Sequence, residues 1–322
     1  MIERIIGEVP NWTKRDNPLL RYELARHDDP SSSAYGRIVM WVIILTVLVL
    51  GGYVYATDGL QRSLQMPYSL DIWRIIVFPL FALQLIFRVA GLSLGVGAVS
   101  DERQRQTWDN LRATERGAEI SLRTRWVSVF YRLRGLVFTI LASRLILIGA
   151  IFYELTSMQG EYLSFLTARA DPSVSLQVGV ILLGMFLTAF ILMPITATGV
   201  DIALGLYIST NIRNRALSSL AQVLLIVFRV VTSLGLFWMT WQFVMVDSSI
   251  QDTSSGLALI SASAILGDWG LMLAQLSKTV EIWADVPYTV FIGTLMLIMV
   301  IVQMSIVSGL LMLSVRSAEI RE

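Results

Sequence analysis

Cysteine is absent from this chain, histidine occurs once, as His27, and lysine only twice, as Lys14 and Lys278. Without cysteine there is neither a disulfide framework nor a thiolate metal site. A single histidine removes the Ser-His-Asp triad, histidine-ligated haem and the HExxH zinc site. The two lysines follow Thr13 and Ser277. Neither stands in the Gly-Lys-Ser/Thr loop whose backbone amides cradle phosphates while the lysine reaches the terminal ones, so the chain carries no nucleotide site of that kind. Charge is scarce as well: 15% of the 322 residues are charged and 55% are hydrophobic. A soluble domain with a water-facing surface could hardly sustain that balance. The composition is that of an all-α integral membrane protein. No cofactor and no nucleic-acid partner is expected.

What the chain has is long apolar runs. A bilayer core needs about 20 apolar residues per helix, and six runs qualify: 38–56, 75–99, 135–153, 176–206, 217–246 and 286–315. They divide the chain into an N-terminal segment, 1–37, and a single six-helix transmembrane domain, 38–322, with a loop at 100–134 and an outer segment at 247–285. The first run lies behind a polar segment longer than 30 residues and does not resemble a cleaved signal peptide. The stretch 257–276 is apolar yet carries Asp268 and is punctuated by Gly267 and Gly270. With the N-terminus inside and six spans, eighteen basic residues fall on the inner side and four outside, Arg62, Arg74, Arg169 and Lys278. That asymmetry follows the positive-inside rule and places both termini in the cytoplasm. A seventh crossing at 257–276 would put Arg316 and Arg321 outside, so this stretch is read as a re-entrant or interfacial helix.

Two inner segments have helical character of their own. In "NPLLRYELARHDDP", Asn17 suits an N-cap and Pro18 the first helical position, where a missing N–H costs nothing. Leu20 and Leu24 share a face, Glu23 and Arg26 can pair at i,i+3, and Pro30 stops the helix. A short helix lying along the inner membrane surface is expected; the plainer alternative is a solvated leader. In the segment 100–134, Ser100 is a possible cap for a helix whose first turn holds Asp101 and Glu102, and Trp108 with Leu111 makes a small apolar knob. After a break at Gly117, Leu122, Trp126, Val129, Phe130 and Leu133 fall on one helical face. Arg123 and Arg134 flank it on one side, Arg125 and Arg132 on the other, where basic side chains can snorkel to lipid headgroups.

These residues carry a resemblance. "NPLLRYELARH" resembles the Asn-Pro-x-x-x-x-Glu-Leu stretch ahead of the first span in permeases of the type-2 ABC exporter class. "SDERQRQTWDNLRAT" resembles their Glu-Arg-x-x-x-Thr-x-x-x-Leu signature after the second span. The resemblance implies a connecting helix bearing Asn17, Pro18, Glu23 and Leu24, and a coupling helix bearing Glu102, Arg103, Thr107, Trp108 and Leu111 that docks on a cytoplasmic ATP-binding-cassette subunit. It implies a second permease copy or paralogue, a bacterial plasma membrane location, and no enzymatic activity in this chain. The turn after the second motif departs from many relatives, because Thr114 is followed by Glu115, Arg116 and Gly117 where they carry a Pro-Leu-Ser type turn and a lysine. The competing reading is a structural or assembly subunit of a larger membrane complex that keeps the permease fold without transporting.

Further signals lie inside the runs. Gly91 to Gly95, "GLSLG", fits a GxSxG nucleophile pattern but also GxxxG, and in a membrane helix without an available histidine the latter, a helix-packing stripe, is the better reading. Arg144 stands near the midplane and is a candidate either for a polar translocation path or for a buried pairing. Arg88 and Arg229 are expected to snorkel, Pro79 and Pro194 to kink their helices, and Trp238, Trp241, Trp269, Trp283 and Tyr288 to form an outer aromatic belt.

Overall fold

Apolar chain can satisfy its backbone in lipid only as helices or closed barrels, and here it forms helices. The computed structural model describes residues 11–13, 17–25, 68–104, 117–157, 175–212, 214–245, 261–267 and 292–320. A single turn at Asn11–Thr13 precedes α1, Pro18–Ala25. Then come α2, Tyr68–Gln104; α3, Gly117–Arg132; and α4, Arg134–Ser157. The long helices α5, Leu176–Asn211, α6, Arg215–Met245, and α7, Ile292–Ile320, follow, and residues 261–266, described before the last, are helical with a turn at Gly267.

Four of these helices contain stretches long and apolar enough to cross a membrane: Phe78–Val99, Gln177–Asn211, Ala216–Thr240 and Gly293–Glu319. They fall on the second, fourth, fifth and sixth of the expected runs. The third coincides with α4, whose 24 residues reach about 36 Å. The first, 38–56, lies outside the described residues, as do Asp268 and Gly270 of the doubtful stretch.

Helix α5 is central and packs along both α2 and α7. Its contact with α2 is a glycine seam, as the GxxxG reading anticipates. A Cβ on Gly95 would stand 2.7 Å from the Ile202 carbonyl oxygen, and one on Gly205 would stand 2.7 Å from the Leu92 carbonyl oxygen and 3.0 Å from the Val96 nitrogen. Those neighbours are backbone and cannot rotate aside. Replacing Gly205 with valine should therefore cost about 3 kcal/mol, read as a fall in thermal midpoint of the detergent-solubilised protein. Gly97→Ala, whose Cβ would meet nothing within 4 Å, should leave the midpoint unchanged or raise it slightly.

The core is continuous through the bundle. Leu80, Leu83 and Phe87 of α2 meet Ile140 and Leu147 of α4, Phe186, Phe190 and Met193 of α5, and Met296 of α7. A second cluster at the α3 end joins Val99, Ala118, Leu122, Val129, Ile202, Leu206 and Ala318, with Trp126, Phe130 and Leu133 packed against it. Thus the apolar face expected on α3 exists, but it is buried against α2, α5 and α7 and does not rest on lipid headgroups.

One expected boundary is corrected. Helix α2 runs through Ser100 to Gln104 without interruption, so Ser100 is an interior residue and not the cap of a new helix. Between Val99 and Gln104 there is neither glycine nor proline, and continuing the helix keeps every i→i−4 hydrogen bond that a cap could only partly replace. Asp101 and Glu102 consequently lie near the end of α2 and not in a first turn.

Candidate functional site

The first constellation is built around α3, where local capping chemistry is met by long-range ion pairing. Asn17 caps α1 as its sequence suggests: its Oδ1 accepts from the Leu19 N–H at 2.9 Å, and its carbonyl accepts from the Arg21 N–H at 2.9 Å. Pro18 is the first helical residue. Leu20 is fully buried and Leu24 half-buried, because α1 packs on α3. Glu23 is the centre of this contact. Its Oε1 stands 3.3 Å from Arg125 Nε, and its Oε2 accepts from Arg132 Nη2 at 3.2 Å, while the same Nη2 donates to the Glu23 backbone carbonyl at 3.1 Å.

Arg125 and Arg132 thus turn inward to an acid, contrary to the expectation that they snorkel. The physical reason is that Arg125 is only 2% exposed, and a guanidinium buried to that degree needs a carboxylate to compensate its charge. Glu23 therefore serves α3; Arg26, its expected local partner, lies outside the described residues. Arg123, on the other flank, remains at the surface, paired with Glu119 at 2.8 Å and lying over the Trp12 ring at 5.9 Å. Two further bonds tie α3 into the bundle: Arg125 Nη1 donates to the Ala98 carbonyl at 2.8 Å, and Trp126 Nε1 to the Gly199 carbonyl at 3.0 Å. Helix α3 is held at once by α1, α2 and α5.

Of the coupling residues, Glu102 and Arg103 sit in the last turn of α2. Thr107, Trp108 and Leu111 lie outside the described residues. The segment that contains them joins the end of α2 to the start of α3 at Gly117, so a displacement of it acts on both helices.

The second constellation is buried among the long helices. Asp201 of α5, whose side chain is 1% exposed, takes Arg88 Nε of α2 on one oxygen at 2.6 Å and Arg229 Nη2 of α6 on the other. Arg88 also donates to the Ile265 carbonyl of the short segment. Snorkelling is therefore corrected for both arginines: they converge on a carboxylate, which in an apolar setting compensates them far more strongly than a distant headgroup. The residue that organises them was missed in the sequence. Its signal was present, since Asp201 is the only acid in the six apolar runs.

Arg144 of α4 is fully buried. Its Nη1 donates to the Phe190 carbonyl at 2.5 Å, its Nη2 to the Gly267 carbonyl at 3.1 Å, and its guanidinium lies 4.4 Å from the centre of the Phe190 ring. The Phe190 carbonyl needs such a donor. Four residues further on stands Pro194, inside α5, which has no N–H to return. Of the two settings considered for Arg144, the pairing inside the protein is present, with carbonyls as the acceptors. Ser93, the would-be nucleophile, accepts from Gln222 Nε2 at 2.6 Å and so joins α2 to α6.

Among the described residues no group of three or more histidine, cysteine, aspartate or glutamate side chains is placed to hold a metal ion. Trp238 of the expected belt is exposed on α6; Trp269, Trp283 and Tyr288 lie outside the described residues.

The fold and these two constellations define an all-α membrane protein in which one ionic junction anchors a short amphipathic helix and another ties together three long helices. No protein-family model, no curated protein and no solved structure matches the chain.

Proposed function

We propose that this chain is the permease subunit of an ATP-driven membrane transporter of the type-2 ABC exporter class. In this reading six spans cross a bacterial plasma membrane with both termini in the cytoplasm, and 257–276 is re-entrant from the outer side. A second permease copy or paralogue completes the pathway. Hydrolysis belongs to separate ATP-binding-cassette subunits docked on the segment Glu102 to Leu111.

The observation that carries the proposal is the engagement of Glu23, the acid of the Asn-Pro-x-x-x-x-Glu-Leu motif, by Arg125 and Arg132 of α3. A transporter driven from below must convert movement of its docking segment into movement of its spans. Here that segment feeds directly into α3, and α3 grips α1 through Glu23, α2 through the Ala98 carbonyl and α5 through the Gly199 carbonyl. The hydrogen-bonded turn at Leu133 then leads with scarcely a break into α4, as Leu133 N–H reaches the Val129 carbonyl and Val137 N–H the Leu133 carbonyl, both at 3.0 Å. A push at the docking segment is delivered to four helices.

The test is extraction of the tagged chain in mild detergent, followed by an ATPase assay on the purified complex. Glu102→Arg should release the ATPase, and hydrolysis should fall by at least about tenfold, because a like-charge contact at an interface costs several kcal/mol. A folded variant with unchanged companions and no associated hydrolysis in either protein would favour the scaffold reading instead.

A further inference from the structure

Arg88, Arg144 and Gln303 belong to α2, α4 and α7, yet they share one arrangement: each bridges α5 to the segment 261–267. Arg88 joins Asp201 to the Ile265 carbonyl. Arg144 joins the Phe190 carbonyl to the Gly267 carbonyl. Gln303 accepts from Thr196 Oγ1 at 2.5 Å and donates through Nε2 to the Ala264 carbonyl at 2.9 Å. The acceptors Ala264, Ile265 and Gly267 are carbonyls at the C-terminal end of this helical stretch, the end that attracts cations. At this depth only protein groups can satisfy them.

The chain turns at Gly267, where it touches α5. Gly267 has φ +70°, and its N–H reaches back to the Ser263 and Ala264 carbonyls at 2.9 and 3.1 Å. A Cβ at Gly267 would lie 2.8 Å from the Ala197 Cβ and 3.2 Å from Gln84 Nε2, so glycine is needed both for the backbone conformation and for the close approach. Gln84 Nε2 in turn donates to the Pro194 carbonyl at 3.4 Å. The contact is thus made at the part of α5 where proline has interrupted the hydrogen-bond ladder. In the same seam two buried atoms, Gln84 Oε1 and Ser263 Oγ, have no hydrogen-bond partner among the described residues.

We propose that the segment 261–267 is a releasable element seated on the Pro194 break of α5, latched by Arg88, Arg144 and Gln303, and freed when α3 displaces α4. The displacement reaches the latch directly, since Arg144 lies ten residues beyond Arg134, about 15 Å along the same helix. Release by ATP rests on the permease reading; the latch does not.

The absence of cysteine makes the test clean. Ser263→Cys, at a position 1% exposed and without a hydrogen bond to lose, is purified with its companions and its rate of reaction with N-ethylmaleimide is measured. The latched protein should react slowly. Adding Gln303→Ala should raise the rate about tenfold, the equivalent of one or two hydrogen bonds, and Arg144→Gln should raise it further. Leu217→Cys, exposed at the start of α6, should react at one rate in all backgrounds, which separates local release from unfolding. If Arg144→Gln does not fold, Gln303→Ala with Arg144→Lys still decides the matter. Equal Ser263→Cys rates with the bridges intact and broken would overturn the latch. A rate that rises on Gln303→Ala but ignores ATP would support the latch and count against the permease reading alone.

Discussion

Asp201→Asn should destabilise the protein by about 3–5 kcal/mol, the range for removing one partner of a buried ionic group. Asn could still accept one hydrogen bond, but among the described residues it removes the only negative charge facing Arg88 and Arg229. Two guanidinium ions would then repel each other in an apolar interior. The expected result is a sharply lower thermal midpoint in detergent and loss of the monodisperse fraction on size exclusion. Arg229→Gln should cost much less, because the Arg88 to Asp201 pair survives and Arg229 is the more exposed of the two arginines. Replacing the whole cluster, as Arg88→Met, Asp201→Leu and Arg229→Met together, should recover most of the stability lost in Asp201→Asn. Asp201→Asn with an unchanged midpoint would show that the cluster does not hold these helices.

Glu23→Arg should detach α1 from α3. Three cations would meet where one carboxylate had compensated two, and Arg125 would be left buried with a like charge beside it. A penalty of about 3 kcal/mol is expected, concentrated at α1, since among the described residues Leu20 is the one fully buried side chain that helix contributes to the core. Limited chymotrypsin digestion, whose sites at Leu19, Leu20, Tyr22 and Leu24 the substitution leaves unchanged, should then cut within residues 17–25 at least tenfold faster, while the long helices stay protected; a local opening of about 1.4 kcal/mol suffices for that factor. Combining Glu23→Arg with Arg132→Glu should restore part of the protection. If α1 is as resistant to chymotrypsin as in the parent protein, Glu23 is not its anchor.

The features that were legible in the sequence depend on neighbours along the chain. Asn17 and Pro18 cap a helix through contacts two to four residues away, and the long runs declare helices through composition alone. Gly91 and Gly95 announced a helix-packing stripe through their GxxxG spacing. What the sequence hid was pairing over distance. Glu23 and Arg132 are separated by 109 positions, and Arg88 and Asp201 by 113. A basic residue beside an apolar face looks the same whether headgroups or an acid will meet it, so Arg125, Arg132, Arg88 and Arg229 were all assigned to lipid. Asp201 has no periodic companion in α5, and Gln303 none in α7. Ser100 shows the opposite failure: a good capping residue was overruled by uninterrupted helix on both sides.

The most direct test of the permease reading is photo-crosslinking from Trp108, the apolar knob of the docking segment. A photoreactive residue there, activated in cells, should yield an adduct with a cytoplasmic protein carrying a Walker A loop, and Glu102→Arg should abolish it. Adducts with lipid alone, or with membrane proteins that have no nucleotide site, would contradict an ATP-driven transporter and leave this chain a scaffold.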